Sequence, residues 1–351
     1  MNFKNRLACM NWLMYVNEYS GRGKLLGKNY ENVVQAAEMY DNGQPFLFFF
    51  AEIPMLGAPG VDLSVEYNLS DFLHRNTLTN TPVAKQGEFL ASYARLLQKQ
   101  YPELLEHCYT FLEADSSKGK INNVAQFINL PGAVTKTCLA PVLEWKGMYE
   151  CQRAIEKTLA AAAPDMELWQ IGFMESRQEK PVRLDFHTTE TGLEGLIAGA
   201  KRLGLKDFVQ FAEPLLKTIA AMELCDDYAF DVDILPDGGL GDTVGVELKP
   251  KELYPVLQRK MLQTESFAQL KMLLKEQGMA DERIELLPNC IFGAPLNHRE
   301  LSAFYVYSYL SHIKLVWKGC KPMAAKLYLE MRVVNRDFTI NDSFRRVVNH
   351  G

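Results

Sequence analysis

The feature that most constrains the fold is a regular alternation of strand pairs with helices. The members of several pairs are separated by short turns rich in Gly, Pro, Asp and Ser, which predicts antiparallel hairpins. Helical segments follow the first four pairs, at 85–99, 143–163, 190–203 with 206–222, and 251–277. The five pairs are 46–54 with 61–68, 106–114 with 121–130, 167–175 with 182–188, 228–235 with 243–248, and 312–318 with 324–331.

The strands are apolar on one face and polar on the other. Val182, Leu184 and Phe186 share one face of their strand, whereas Arg183 and Asp185 lie on the opposite face. Helices need an apolar sheet face to cover, and ten strands tend to close into a barrel. We therefore expect an α+β fold, a ten-stranded antiparallel β-barrel with helices outside and a polar lumen. The alternative is an open or split α+β sandwich.

Length alone does not decide the number of domains, because 351 residues suit either two ordinary domains or one large closed unit. The five hairpins favour one unit. We expect a single domain over residues 1–351, with an N-terminal helical element at 1–40, the barrel at 41–332 and a tail at 333–351.

Composition excludes several classes of protein. A hydrophobic content of 48% excludes disorder as the main state. A net charge of −5 without long basic runs argues against nucleic acid as a partner. Seven scattered cysteines without CxxC pairs indicate reduced thiols and a cytoplasmic location. We expect residues 1–19 to form an amphipathic helix and no segment to span a membrane, since the apolar runs fall far short of roughly 20 residues.

Two short stretches give the chain a family resemblance. They are Ala325-Lys326-Leu327-Tyr328-Leu329 and Pro181-Val182-Arg183-Leu184-Asp185-Phe186-His187, the second followed by Thr-Thr-Glu-Thr-Gly-Leu. Together with the order of elements over about residues 40–332, they resemble the ABBA-type aromatic prenyltransferases, in particular the indole branch. The resemblance implies a barrel of five repeated units and transfer of an allylic prenyl group from its diphosphate to an aromatic acceptor. That acceptor would be a small indole or phenol or a peptide side chain, in secondary metabolism.

The resemblance also implies residue roles. Lys326 and Tyr328 match one pair of diphosphate-binding positions, and Arg183 matches a third. Lys314 and His312, on the other strand of the last hairpin, are further candidates because they could lie across from that pair. Cationic and phenolic donors of this kind stabilise a departing diphosphate. The chain departs from the family where it places Asp185, His187 and the segment Ala125-Gln126-Phe127.

Acidic residues supply the remaining candidates. The resemblance implies a glutamate early in the chain as proton acceptor, which Glu52 or Glu66 would match, beside an aromatic wall formed by residues 46–50 and Trp169. The alternation also places several acids inward, which makes the lumen rich in carboxylates. Either Mg²⁺ bridges carboxylates and phosphate, or the substrate is cationic or hydrogen-bonding; no cofactor is certain. The inward acids are Asp62, Glu66, Asp185, Asp231, Asp233 and Glu247.

Alternative interpretations stay open. Asp231 and Asp233 also fit a solvated strand face, and Lys326 fits an edge-strand lysine that protects against aggregation. A non-catalytic peptide-binding or maturation partner would use the same barrel without chemistry, and an enzyme with unrelated chemistry is a third interpretation. Histidine spacing does not indicate a zinc site, and Gly238-Gly239-Leu240-Gly241 is a hairpin turn because a strand follows it.

Overall fold

The computed structural model describes residues 3–27, 48–73, 84–105, 107–114, 124–129, 139–144, 146–175, 177, 179–188 and 190–335. Its centre is a closed antiparallel β-barrel of ten strands, to which one further strand, β9, is attached at β10. The strands are β1 (Phe48–Pro54), β2 (Asp62–Asn68), β3 (Tyr109–Ala114), β4 (Val124–Asn129), β5 (Met166–Phe173), β6 (Val182–Thr188), β7 (Cys225–Ile234), β8 (Leu240–Pro250), β9 (Phe292–Pro295), β10 (Phe304–Lys318) and β11 (Lys321–Asn335).

The barrel closes because its first and last strands pair with each other. Strands β1 to β8 follow one another in order, β8 pairs with β10, β10 pairs with β11, and β11 returns to β1. Closure gives each of the ten barrel strands a hydrogen-bonded neighbouring strand on both sides. The long hydrophobic hairpins therefore leave no open sheet edge in the ring. The ten-stranded barrel expected from the five hairpins is confirmed, and the open sandwich is excluded.

Helices cover the outer face of the barrel, where the main hydrophobic core lies. Phe230 of β7, for example, packs against Phe208 of a covering helix, which also contacts Trp317 of β10. The helices are α1 (Phe3–Tyr19), α2 (Ala84–Gln100), α3 (Pro102–Leu105), α4 (Gln152–Ala162), α5 (Gly192–Arg202), α6 (Lys206–Ala220), α7 (Pro255–Met261) and α8 (Glu265–Glu276). None of the helices described is both long enough and apolar enough to cross a bilayer.

Two helical predictions need correction. The region 251–277 forms two helices: the first ends at Met261, and Thr264 caps the second by accepting a hydrogen bond from the Phe267 N–H. The helix expected over 143–163 is interrupted: Gly147 has a φ of +67°, a 3₁₀ turn follows at Tyr149–Cys151, and α4 begins only at Gln152.

The last hairpin is longer than expected. Strand β10 begins at Phe304, not at 312, and β11 continues to Asn335, beyond the expected end at 331. The sequence did not predict β9, which has only four residues. Because β11 runs past residue 332, the barrel takes in part of the expected tail.

The N-terminal helix is buried more completely than an amphipathic surface helix would be. Trp12 and Leu13 are fully buried neighbours, and even Asn11 is only 8% exposed. Two hydrogen bonds connect α1 to the end of β9 and the loop after it. The Tyr15 hydroxyl donates to the Pro295 carbonyl at 2.9 Å, and the Asn297 N–H donates to Asn11 Oδ1 at 3.0 Å. The helix is therefore part of the fold's interior, and its expected amphipathic pattern was wrong.

Candidate active site inside the barrel

The inner face of the barrel carries side chains of a different kind from the outer face. Phe111 and Phe127 belong to a small apolar cluster separate from the main core, whereas their neighbours Leu112 and Ile128 belong to that core. Because successive residues of a strand point to opposite faces, this separation identifies the inner wall. Most other inward positions are polar or charged, so the barrel interior is the candidate site.

A run of charged side chains, which we call the charged belt, crosses the inner wall. It consists of Arg177, Arg183, Asp231, Asp233, Glu247, Lys314, Lys326 and Glu52. Arg183 anchors one end, with Nε 2.9 Å from Asp233 Oδ1 and 3.1 Å from Asp231 Oδ1, and its Nη2 also donates to Asp233 Oδ2 at 3.1 Å. Arg177, from the turn after β5, donates to the same Asp233 at 3.1 Å.

Lys314 occupies the middle of the charged belt. Its Nζ lies 2.8 Å from Asp231 Oδ2 and 3.4 Å from Glu247 Oε1. Burial disfavours the charged ammonium, but these two carboxylates more than compensate, and the pKa of Lys314 is raised. Gly245 makes room for the pair, since a Cβ there would lie 1.8 Å from Asp231 Oδ2. Lys314 therefore stays a cation in the barrel interior.

The other end of the charged belt is centred on Glu52. Lys326 and Tyr328, on the neighbouring strand β11, both donate hydrogen bonds to its carboxylate. Burial would raise the pKa of Glu52, but Lys326, Tyr328 and Lys314 lower it to about 2. A carboxylate held in this way is a weak base, so the geometry does not favour Glu52 as proton acceptor.

The charged belt is balanced in charge: it contains four acids and four bases. Arg183, Lys314 and Lys326 each contact at least one carboxylate of the barrel itself. A diphosphate would have to compete with these carboxylates for the same cations.

The opposite part of the inner wall, formed by β1, β3 and β4, is aromatic. Phe50 and Phe111 make an edge-to-face contact with ring centroids 5.6 Å apart, and Phe111 packs against the cluster that contains Phe127. Gly172 lets this cluster approach the sheet, because a Cβ there would lie 2.6 Å from the Phe127 ring. We call this the aromatic side: Phe50, Phe111, Phe127, Ala125 and Met174.

Glu66 lies on the aromatic side, opposite Phe48 on one neighbouring strand and Phe111 on the other. Burial raises the pKa of Glu66 to about 8, the carboxylate of Glu330 adds to the rise, and Arg332 opposes it. Among the described residues Glu66 has no hydrogen-bond or ion-pair partner. A carboxyl group with a pKa near neutrality and no partner suits proton transfer.

Beside Glu66, Arg332 is held by its own partners. Its Nε donates to Glu330 Oε1 at 2.8 Å and to the Tyr309 hydroxyl at 2.7 Å. Its guanidinium also lies 5.3 Å from the centroid of the Phe48 ring. Arg332 is thus a buried cation at the aromatic end of the lumen.

Two further inward acids lack partners in the part of the chain that the structure describes. Asp185 lies directly opposite Asp231 on the neighbouring strand. Burial raises its pKa, as do Asp231 and Glu247, against the effect of Lys314. Burial also raises the pKa of Glu113, and the Glu52 carboxylate adds to this effect. With Asp62 and Glu66, these acids give the described part of the inner face more carboxyl groups than cations.

Trp169 lies at a bulge of β5 and stacks on the imidazole of His187 at 4.6 Å, on the charged part of the wall. Burial lowers the pKa of His187 to about 4, and Lys249, whose Nζ is 2.9 Å from its Nε2, has the same effect. Trp169 therefore contacts His187 and is separate from the phenylalanines of the aromatic side.

His312 stacks on the ring of Tyr328 at 4.1 Å. Its Nε2 is 3.6 Å from Glu247 Oε1, and burial lowers its pKa to about 4 despite that neighbouring carboxylate. The structure thus brings together the predicted residues Arg183, Lys314, Lys326 and Tyr328 on one continuous wall with His312, Asp231 and Asp233.

The expected aromatic wall at 46–50 is only partly described. Residues 46 and 47 lie outside the described part of the chain, and Phe49 points outward into the core. Sequence reasoning missed Arg177, Glu113 and Arg332. Glu113 shares the strand face of Phe111, and Arg332 continues the alternation of Lys326 and Tyr328, so both were accessible from the pattern. Arg177 lies in a turn, where no periodicity applies.

The fold has known counterparts. No family model matches the chain, and no curated protein matches it significantly. Among solved structures it is similar to a 6-dimethylallyl tryptophan synthase, with 10% identity, a TM-score of 0.51 and coverage of 94% of this chain and 96% of the other. It is also similar to NotF, solved in complex with brevianamide F and DMSPP, with 9% identity, a TM-score of 0.53 and coverage of 94% and 93%. The chain therefore has the barrel fold of these prenyltransferases.

Proposed function

We propose that the protein transfers an allylic prenyl group from its diphosphate to an aromatic acceptor inside the barrel. The observation that carries the proposal is the division of one inner wall into two parts. The charged belt presents Arg183, Lys314 and Lys326 beside Tyr328, and the aromatic side presents Glu66, a carboxyl group without a partner among the described residues. The fold shared with aromatic prenyltransferases supports the same chemistry.

In this proposal the C–O bond of the allylic diphosphate breaks, and the diphosphate leaves with the bonding electron pair. Cationic and phenolic donors stabilise the departing charge, and aromatic rings shield the allylic cation. An aromatic carbon of the acceptor attacks the cation and forms the new C–C bond. The ionised form of Glu66 takes the proton that this ring carbon then loses, which restores aromaticity.

Because the charged belt is balanced in charge, the diphosphate donor can bind only if contacts within the belt are broken. Lys326 and Tyr328 must exchange the Glu52 carboxylate for phosphate oxygens, and Lys314 must do the same with Asp231 or Glu247. Separating such buried pairs is costly, because each carboxylate left behind loses its partner. We therefore expect weak donor binding that improves when Glu52 is neutralised.

A mass-spectrometric assay tests the proposal. The full chain is incubated with dimethylallyl diphosphate and a panel of indoles, phenols and aromatic peptides, with and without Mg²⁺. We expect an acceptor whose mass increases by one dimethylallyl group, and loss of that product in Lys326→Met. The matched control is Lys321→Met, at an exposed position on the same strand.

The second candidate is a non-catalytic protein that binds a cationic peptide. It is favoured by the pairing of Arg183, Lys314 and Lys326 within the barrel and by Asp185 and Glu113, two acids for which the described residues supply no partner. It predicts no mass increase with any acceptor, together with saturable binding of short lysine-containing peptides. Glu113→Gln would weaken that binding, whereas the exposed Glu276→Gln would not.

A further inference from the structure

Three carboxylates from three consecutive strands converge on the inner wall. Asp185 of β6 pairs directly with Asp231 of β7, and Glu247 of β8 lies two positions from Gly245, the residue opposite Asp231. One oxygen from each of the three carboxylates lies within 4.8 Å of the others. This spacing is compatible with three ligands around one cation.

Asp185 is the member of this group that has no partner in the described part of the chain. It is 8% exposed and makes no hydrogen bond or ion pair with any described residue. Asp231 and Glu247 point to the same place, so its carboxyl group is directed at other carboxyl groups. A buried carboxyl group normally has a hydrogen-bonding or cationic partner, and this one is therefore evidence for a ligand.

A buried imidazole nitrogen lies beside one member of this group. The Nε2 atom of His312 is buried, lacks a hydrogen-bond partner among the described residues, and lies 3.6 Å from Glu247 Oε1. The backbone leaves space at the same point: a Cβ on Gly245 would come within 1.8 Å of Asp231 Oδ2 and 2.6 Å of Lys314 Cε. Glycine is thus required where the carboxylates meet.

Lys314 supplies one positive charge to Asp231 and Glu247, and Arg183 is shared between Asp231 and Asp233. Neither cation forms an ion pair with Asp185. A divalent cation would bring a second positive charge to this point, where it would compete with the Lys314 ammonium for the same oxygens.

We propose that Asp185, Asp231 and Glu247 bind a divalent cation, with Lys314 as its competitor. Carboxylate oxygens are the ligands that suit Mg²⁺ and Mn²⁺. The site does not depend on the proposed transferase activity, since it is defined without a donor or an acceptor.

The test is a titration of the full chain, without any organic ligand, with Mn²⁺, in which electron paramagnetic resonance measures free Mn²⁺. We expect one Mn²⁺ per chain, displaced by excess Mg²⁺. Asp185→Asn should weaken binding about tenfold or more, whereas the exposed Asp242→Asn, a residue of the same barrel, should not change it. Lys314→Met should strengthen binding, because the competing ammonium is gone.

Asp185→Asn keeps the shape of the side chain, and circular dichroism of both variants checks that they fold. Mn²⁺ binding with the wild-type stoichiometry and affinity in folded Asp185→Asn would overturn the proposal, as would the absence of stoichiometric binding in the wild type. Weaker binding in Lys314→Met than in the wild type would also contradict it, because it would show that Lys314 does not compete with the metal.

Discussion

The charged belt and the aromatic side share one inner wall but satisfy their polar groups in opposite ways. In the charged belt each cation contacts a carboxylate, as Arg183 does with Asp233 and Lys326 with Glu52. On the aromatic side Glu66 has no hydrogen-bond or ion-pair partner in the described chain, and its pKa is raised to about 8. Acids with strong partners are weak bases, so we infer that the charged belt binds and the aromatic side transfers the proton.

The largest expected effect concerns this division of roles. Glu66→Gln removes the proton acceptor, and we expect kcat to fall about 10²- to 10⁴-fold, as is typical when a general base is lost. The donor KM should change little, because Glu66 is outside the charged belt. Steady-state kinetics with the acceptor identified by mass spectrometry measures both, with Glu276→Gln as control. An unchanged kcat would remove Glu66 from the mechanism.

The next effect concerns stability. Arg183→Met leaves Asp231 and Asp233 in the barrel interior without their shared guanidinium, and we expect a loss of about 3–5 kcal/mol in the free energy of unfolding. Urea denaturation measures it. The exposed Arg259→Met should change the value by less than about 0.5 kcal/mol. Similar curves for both variants would show that the charged belt does not hold the barrel together.

The raised pKa of Glu66 also predicts a pH dependence of stability. The folded chain keeps the Glu66 proton up to about pH 8, whereas the unfolded chain releases it near the ordinary value of 4.5. Stability from this group is therefore complete below about pH 4.5 and is lost as the pH rises towards 8, by at most about 1.4 kcal/mol per pH unit.

Glu66→Gln cannot lose this proton, so it should gain stability relative to the wild type between pH 5 and 8. Denaturation at several pH values in that range measures the difference. Parallel pH profiles for the two proteins would mean that the pKa of Glu66 is not raised in the fold.

The smallest expected effect distinguishes a phenylalanine on the inner face of the barrel from one on the outer face. Phe111→Leu on the aromatic side should raise the acceptor KM several-fold, corresponding to the roughly 0.5–1.5 kcal/mol of an aromatic contact. Phe230→Leu on the outer face should lower stability and leave KM unchanged, because Phe230 packs against Phe208. An unchanged acceptor KM in Phe111→Leu would show that the acceptor does not contact this ring, and an equal rise in both variants would show that the effect is not specific to the aromatic side.

The sequence predicted the local parts of this architecture better than the long-range ones. The strand Val182–Thr188 and its polar face followed from alternation, because alternation is a property of the strand itself. Closure of β1 onto β11 joins residues almost 280 positions apart, as in the contact of Glu52 with Tyr328. No turn motif and no periodicity in the sequence indicates a pairing between strands so far apart in the chain.

Bulges limited the prediction of side-chain direction. The register shifts between Leu168 and Gln170 and between Leu310 and His312. Each shift reverses the alternation, so the directions of Trp169 and Tyr309 could not be read from the sequence. The partners of the cations were likewise hidden, because Arg183 and Asp233 meet only through the pairing of β6 with β7.

The central claim is that the charged belt binds an allylic diphosphate in competition with its own carboxylates. Calorimetric titration of the wild type and Glu52→Gln with dimethylallyl diphosphate tests it most directly. The account predicts one site per chain in both proteins and tighter binding in Glu52→Gln, since Lys326 and Tyr328 are then released from a carboxylate. No binding by either protein, or weaker binding by Glu52→Gln, would contradict it.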